Sequence, residues 1–277
     1  MPSSHISPAA FARSRCEFCT SRDKGACRGV DSQDPGAVSA LESARLAVRL
    51  YEAGDVIYAQ GDACEHLFNL ISGWVAVHRD LADGRRQITR FLQPGALFGI
   101  EPAGEEFGHT ATAITRATAC PIRTSKFDEL RREVASLNER FIHLLKWECR
   151  RAIDAMTTLG QGSAKERIAG LLWELTVTAI GEASLRAGAM LKLPLTQRHI
   201  AEATGLTSIH VNRVLRQLRE ERTVELRDGK LTIIDARRLR AIRDPGADRR
   251  CGLSEPGCGW AAKEMPDVSA SIGAFAD

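Results

Sequence analysis

Between about Tyr51 and Ile122, apolar and polar residues alternate in short runs divided by glycines, as in DVIYAQGD, HLFNLISGWVAVHRD, ADGRRQITRFLQPGALFG and HTATAITRATACPI. Alternation with period two puts successive side chains on opposite faces of a strand. Gly54, Gly61, Gly73, Gly84, Gly95 and Gly99 fall at intervals where such strands must turn. The stretch therefore predicts a small β-roll, with Asp83-Gly84 as a hairpin turn between two of its strands. Near Lys126 the period changes. Leu130, Val134, Leu137, Phe141, Leu144, Leu145, Cys149, Ile153 and Met156 recur at steps of three and four, which predicts one long amphipathic helix with a seam-like stripe. Gly160-Gln-Gly-Ser ends it. A further amphipathic helix is expected from Ala164 to about Ile180, and TVELRDGKLTIID reads as two short strands around Asp228-Gly229. Beyond about Asp244 the chain turns to Gly, Pro, Ser and Ala without period, the pattern of a flexible tail.

Between the last helix and the two strands lies QRHIAEATGLTSIHVNRVLR, from Gln197 to Arg216. Ala201 is small where two helices must approach, and Gly205 follows where the turn needs a positive φ. Ile200, Leu206, Val211 and Val214 are spaced to tie the helices together, and Thr207 can cap the second. This is the pattern of a helix-turn-helix, and the following strand pair makes it winged. Thr207, Ser208, Ile209, His210, Asn212 and Arg213 are then the residues that face a DNA major groove. Arg213 is suited to guanine O6 and N7, and Arg216 and Arg219 to phosphates.

Composition narrows the function without naming it. A chain of 277 residues can hold two domains with cores of their own. Its net charge is only +3, so nucleic-acid binding must come from local clustering: Arg213, Arg216, Arg219, Arg222 and Arg227 supply it. No apolar run reaches the ~20 residues that span a bilayer, and Arg13 and Arg15 interrupt the N-terminus where a signal core would lie. We expect a cytoplasmic protein with no membrane partner. No nucleophile and base stand in a catalytic motif, and His66, His78 and His109 are scattered, so an enzyme is not expected.

The eight cysteines are the unusual feature. In a reducing compartment they point to metal, redox sensing or burial rather than a disulfide framework. Cys16, Cys19 and Cys27 form C-x2-C-x7-C, close enough to chelate one ion or cluster, with a fourth ligand from elsewhere. Cys251 and Cys258 match no ligand spacing.

Roll, long helix and winged motif, in this order, resemble the Crp/Fnr transcription regulators over about residues 16 to 240. AGDVIYAQGD, LFNLISGWVAV and GRRQITRFLQPGALFG resemble the family's sensor domain, and SAKERIAGLLWEL the entry to its DNA-binding domain. Cyclic-nucleotide members carry an Arg-Ser/Thr-Ala cassette late in the roll. Here Gly108-His-Thr-Ala-Thr-Ala has no arginine to pair a phosphate, so no cyclic nucleotide is expected. The N-terminal cysteines, with Cys120 at the end of the roll, resemble the FNR branch. That resemblance implies a [4Fe–4S] cluster on Cys16, Cys19, Cys27 and Cys120, with Cys64 the reserve ligand. Two departures stand out. The FNR-type reading helix has Glu and then Ser-Arg, where this chain has Ile209 and Asn212-Arg213, and Ala152 stands at a position that is acidic in the best-known FNR.

The expectation is an α+β protein with a double-stranded β-helix, or jelly-roll, sensor. Its parts are an N-terminal arm (1–35), roll (36–125), dimerisation helix (126–160), winged helix-turn-helix (161–243) and tail (244–277). It acts as a homodimer on a pseudo-palindromic duplex operator and meets RNA polymerase. Leu137, Phe141, Leu145, Cys149, Ile153 and Met156 are expected at the dimer seam. Oxygen would degrade the cluster and loosen the dimer. A four-cysteine zinc site or a thiol switch in place of the cluster, and a DNA binder that senses nothing, remain open.

Overall fold

The computed structural model describes residues 16, 19–21, 25–30, 34–102 and 104–244. The remainder of the arm and the tail with Cys251 and Cys258 lie outside the described residues. The chain forms two compact units that divide between Arg150 and Arg151.

The first unit is the expected roll. Its eight strands are β1 (Arg49–Tyr51), β2 (Val56–Tyr58), β3 (His66–Ser72), β4 (Val75–Asp80), β5 (Arg86–Leu92), β6 (Leu97–Phe98), β7 (Thr110–Ala113) and β8 (Ala117–Arg123). They form two four-stranded antiparallel sheets, ordered β1-β8-β3-β6 and β2-β7-β4-β5. The β4–β5 hairpin turns through Asp83-Gly84, where Gly84 has φ 83°. Inward residues of both sheets, among them Leu70, Val75, Leu92 and Ala111, are fully buried.

Helix α1 (Pro35–Ala44) was not legible beforehand. The Asp34 carboxylate accepts from the Ala37 amide at 3.0 Å, and Pro35 stands at the first helical position. The helix buries Ala37, Leu41 and Ala44 in a core shared with Leu67, Leu97, Ile122, Phe127 and Leu130.

The single long helix expected from residue 126 is two helices, α2 (Thr124–Glu133) and α3 (Ala135–Gln161). Val134 breaks them with φ −108° and ψ 97°. The bend lets Phe127 and Leu130 of α2 and Leu137 and Phe141 of α3 enter one core. The apolar repeat continues across the break, so periodicity could not reveal it. Leu137 and Phe141 are therefore corrected: they are buried within the unit itself, with Phe141 edge-on to Phe127 at 5.4 Å, and are not available to a seam.

In the second unit, α4 (Ala164–Ile180) begins at a capping box, with Ser163 and Glu166 bonded reciprocally. α5 (Gln197–Thr204) and α6 (Ser208–Glu220) form the expected helix pair. A three-stranded sheet of β9 (Met190–Lys192), β10 (Val224–Arg227) and β11 (Lys230–Ile233) forms the wing, and α7 (Ala236–Arg243) follows. Asp228 (φ 50°) and Gly229 (φ 69°) give the hairpin its two left-handed positions. β9 and α7 were not anticipated. Each is short and leans on tertiary partners, β9 on β11 and α7 on α4 through buried Leu239.

Candidate functional site

Three arm cysteines and one strand cysteine meet at a cavity in the first unit. Cys16, Cys19, Cys27 and Cys120 line it together with Leu41, Arg45, Val48, Asn69, Ile71 and Ile122. Strand register explains part of this, because Cys120 on β8 lies directly opposite Asn69 on β3. The arm is fastened at separate points. The Cys16 amide donates to Glu42 Oε1 at 2.7 Å, and the Ser21 hydroxyl donates to the Ile71 carbonyl at 3.2 Å. Cys27 sits in a 3-10 turn (Gly25–Gly29), and the Asn69 side-chain amide donates to its Sγ at 3.6 Å. The same turn reaches α3: the Ser136 hydroxyl donates to the Gly29 carbonyl at 2.7 Å. A Cβ on Gly29 would lie 2.9 Å from both Leu137 Cα and Arg140 Cβ, so only glycine allows this approach.

Burial pushes the Cys120 thiol up to about 12 and raises that of Cys16, with Arg45 opposing the rise at both. Both are protonated thiols at neutral pH unless a metal takes the proton's place. Among the described residues, no three His, Cys, Asp or Glu side chains converge closely enough to hold a single ion. Cys64 is corrected as a reserve ligand. It is buried in the other core of the roll, its thiol donating to the carbonyls of Gly99 (3.7 Å) and Glu101 (3.8 Å). Arg45 and Asn69 escaped the sequence reading, since neither belongs to a motif and only the fold brings them to the cysteines.

In the second unit, α5 is capped by Thr196, whose hydroxyl accepts from the His199 amide at 3.2 Å. Gly205 ends it in the left-handed region (φ 64°, ψ 33°). Thr207 caps α6, accepting from the His210 amide at 3.3 Å. Val211, Val214 and Leu218 face the core, whereas Thr207, Ser208, Ile209, His210, Asn212, Arg213, Arg216 and Arg219 are all exposed. At the base of the unit Lys165 bonds both Glu221 oxygens at 2.7 Å, which holds that carboxyl below its ordinary range. Along α3, Ile142, Leu145, Ile153 and Met156 are exposed apolar residues, and Cys149 is exposed beside them. Ile142 was missing from the expected seam.

Residues 48–133 match the cyclic nucleotide-binding domain family, and residues 166–242 the Crp-like helix-turn-helix domain family. The nitrogen fixation regulation protein FixK of Rhizobium meliloti is 34% identical over 196 residues, covering 71% of this chain and 85% of FixK. The chain belongs to the Crp/Fnr family. The transcriptional activator protein FnrL of Cereibacter sphaeroides is 28% identical over 244 residues, 86% of this chain and 95% of that one. Among solved structures, FixK2 from Bradyrhizobium japonicum aligns with a TM-score of 0.64 at 27% identity, over 71% of this chain and 96% of FixK2. The relatives are transcription regulators, not enzymes, and this Crp/Fnr chain is a DNA-binding transcription regulator. Regulators of the family bind DNA and act as dimers. Among the described residues no helix is long and apolar enough to cross a membrane.

The interior of this Crp/Fnr roll is packed with aromatic rings. Tyr58 stacks on Phe107 with centroids 3.8 Å apart, and Phe68 on Phe98 at 5.3 Å. His109 bonds the Tyr58 hydroxyl at 2.8 Å and lies 3.6 Å from Glu101. Burial lowers its pKa, favouring a neutral ring rather than a phosphate partner.

Proposed function

We propose that this regulator responds to oxygen or redox state through a [4Fe–4S] cluster held by Cys16, Cys19, Cys27 and Cys120. The observation that carries the reading is that all four thiols line one cavity, although three come from the arm and one from β8. The donor set fits the group. Four thiolates supply one ligand to each iron, the Arg45 guanidinium offsets part of their charge, and the Asn69 amide donates to one sulfur. A lone zinc would need four sulfurs around one point at about 2.3 Å. The same four thiols could also ligate zinc, and metal analysis separates the two. Bound there, a cluster supplies an oxygen-sensitive redox centre.

The protein's part is mechanical. The arm carries three of the thiols and also touches α3 through Gly29, so holding or releasing the arm changes the packing at Ser136, Leu137 and Arg140. Further along α3, Ile142, Leu145, Ile153 and Met156 form the face on which a second copy packs, with Cys149 among them. The homodimer presents two α6 helices to a pseudo-palindromic duplex, where Thr207, Ser208, Ile209, His210, Asn212 and Arg213 meet bases and Arg216 and Arg219 meet phosphates. FnrL is named an activator, and RNA polymerase is accordingly included as a partner. Cyclic nucleotide is not part of the proposal, given His109 and the stacked aromatic residues of the roll.

Iron and acid-labile sulfide analysis of the chain purified without air tests the reading. About four irons and four sulfides per chain are expected, lost on Cys120→Ala and kept on Cys64→Ala. Zinc without iron in the wild type, or full iron in Cys120→Ala, overturns it.

A further inference from the structure

We propose that Ile209 makes this regulator select a thymine in each operator half-site, by packing on the thymine C5-methyl group. The inference rests on the reading that α6 enters the major groove. The first turn of α6 is fixed from both sides. The Thr207 hydroxyl caps it at the His210 amide, and Val211, Val214 and Leu218 anchor the inner face. Ile209 stands on the outer face with 84% of its surface exposed, more than any other exposed large hydrophobic residue among those described. Nothing inside the unit accounts for it. The side chain adds no core contact, its branched Cβ gives no helical advantage over Glu or Lys, and its apolar surface is left to water.

The major-groove edge supplies what that surface lacks. Guanine, cytosine and adenine present donors and acceptors there, and thymine alone presents a methyl group. A side chain without donor or acceptor gains only at the methyl. Against cytosine N4 or guanine O6 it would strip water from a polar group and return no hydrogen bond. Arg213 lies one helical turn further on the same face, about 6 Å along the axis. That is roughly two base-pair steps at about 3.4 Å each. The selected thymine therefore lies within about two base pairs of the guanine that Arg213 contacts. Asn212, between them, is suited to an adenine. A glutamate at position 209 would accept from cytosine N4, so the isoleucine changes the base read there rather than weakening its reading.

The test uses the full chain purified without air. Binding sites are first selected from randomised duplexes. In the best site the thymine nearest the Arg213-dependent guanine is then replaced by deoxyuridine, which removes only the methyl. Wild-type affinity should fall about fourfold per substituted half-site, the loss expected for one buried methyl-sized group. Ile209→Ala should bind the two duplexes alike, and Ile209→Glu should select cytosine in place of thymine. Because Ile209 is exposed, both variants should keep the wild-type circular dichroism and melting temperature. Equal wild-type affinity for thymine and deoxyuridine, or an undiminished methyl effect in Ile209→Ala, overturns the inference while leaving α6 as the reading helix. Selection of no sequence by the wild type removes that parent reading and the inference together.

Discussion

Gly29 joins the cysteine arm to α3, and Gly29→Ala is the smallest change that pries them apart. The added methyl would sit 2.9 Å from Leu137 Cα and from Arg140 Cβ, and 3.1 Å from the Ser136 carbonyl. Two of these atoms are backbone, so no side-chain rotation relieves the clash. Either the arm or the start of α3 must shift. Overpacking of this kind costs about 1–3 kcal/mol. The shift also stretches the 2.7 Å bond from the Ser136 hydroxyl to the Gly29 carbonyl, a further loss of about 0.5–1.5 kcal/mol. If the overpacking penalty alone falls on docking of the arm, the docked fraction relative to the free one drops about 5- to 150-fold, and the weakened bond adds to the drop. Cys27 is only two residues away, so a displaced turn also loses the Asn69 bond to its sulfur. The assay is iron retention during anaerobic dialysis, read beside protease sensitivity of the arm. Gly29→Ala should lose iron faster than wild type and be cut earlier. Ser136→Ala, which removes the bond without adding bulk, should fall between them. Wild-type iron retention and protease resistance in Gly29→Ala would refute the reasoning, because the clash would then have been absorbed without moving the arm.

Four further outcomes are expected. Ile153→Glu should give monomers in sedimentation with an unchanged fold, since burying such a side chain against a partner is worth about 1.5–3 kcal/mol. Phe141→Glu should instead destabilise the roll unit, and a stably folded Phe141→Glu monomer would show that Phe141 belongs to the seam after all. Arg216→Ala should weaken binding to all duplexes alike and reduce the salt slope by about one per contact; a changed base profile would make Arg216 a base reader. The hydrogen bond from Lys165 holds the Glu221 carboxyl low, so its stabilising effect is present above the ordinary glutamate range and is lost as pH falls through the depressed value. Glu221→Gln should therefore lower stability by about 1 kcal/mol at neutral pH, with wild type and variant converging in acid; a gap that persists in strong acid would contradict the ion pair.

The parts legible in the sequence were those fixed by local chemistry. Gly205 had to be left-handed, Asp228-Gly229 had to turn a hairpin, and Val211 and Val214 had to face inward, because each requirement is written within a few residues. The four cysteines were named from spacing and resemblance, and the structure brings them to one cavity. What escaped were consequences of packing. Leu137, Phe141, Leu145 and Ile153 share one period, yet the bend at Val134 turns the first two into the unit's own core and leaves the others exposed. Periodicity reports that a face is apolar and says nothing about which surface covers it. Arg45 and Asn69 were invisible for a related reason: one ends α1 and the other lies on β3, and neither has a neighbour in sequence that marks it as part of a thiol site.

The arrangement of the arm also explains why a thiol site could govern a helix without a dedicated relay. Among the anchors of the described arm are Cys16 to Glu42, Ser21 to Ile71, Cys27 to Asn69 and Gly29 to Ser136. Cys16, Ser21 and Val30 are among its buried side chains. Ordering that length of chain opposes docking at every residue, and these contacts offset part of that cost. In the proposed reading, ligation at three arm cysteines and Cys120 would act on that same balance, because it would tie the arm to β8 and favour only the docked state. The free energy of ligation would then be felt wherever the arm is in contact, and one such place is the first turn of α3. Strengthening the anchors should therefore make the docked arm less dependent on the thiols, and weakening them, as Gly29→Ala does, should make it more so.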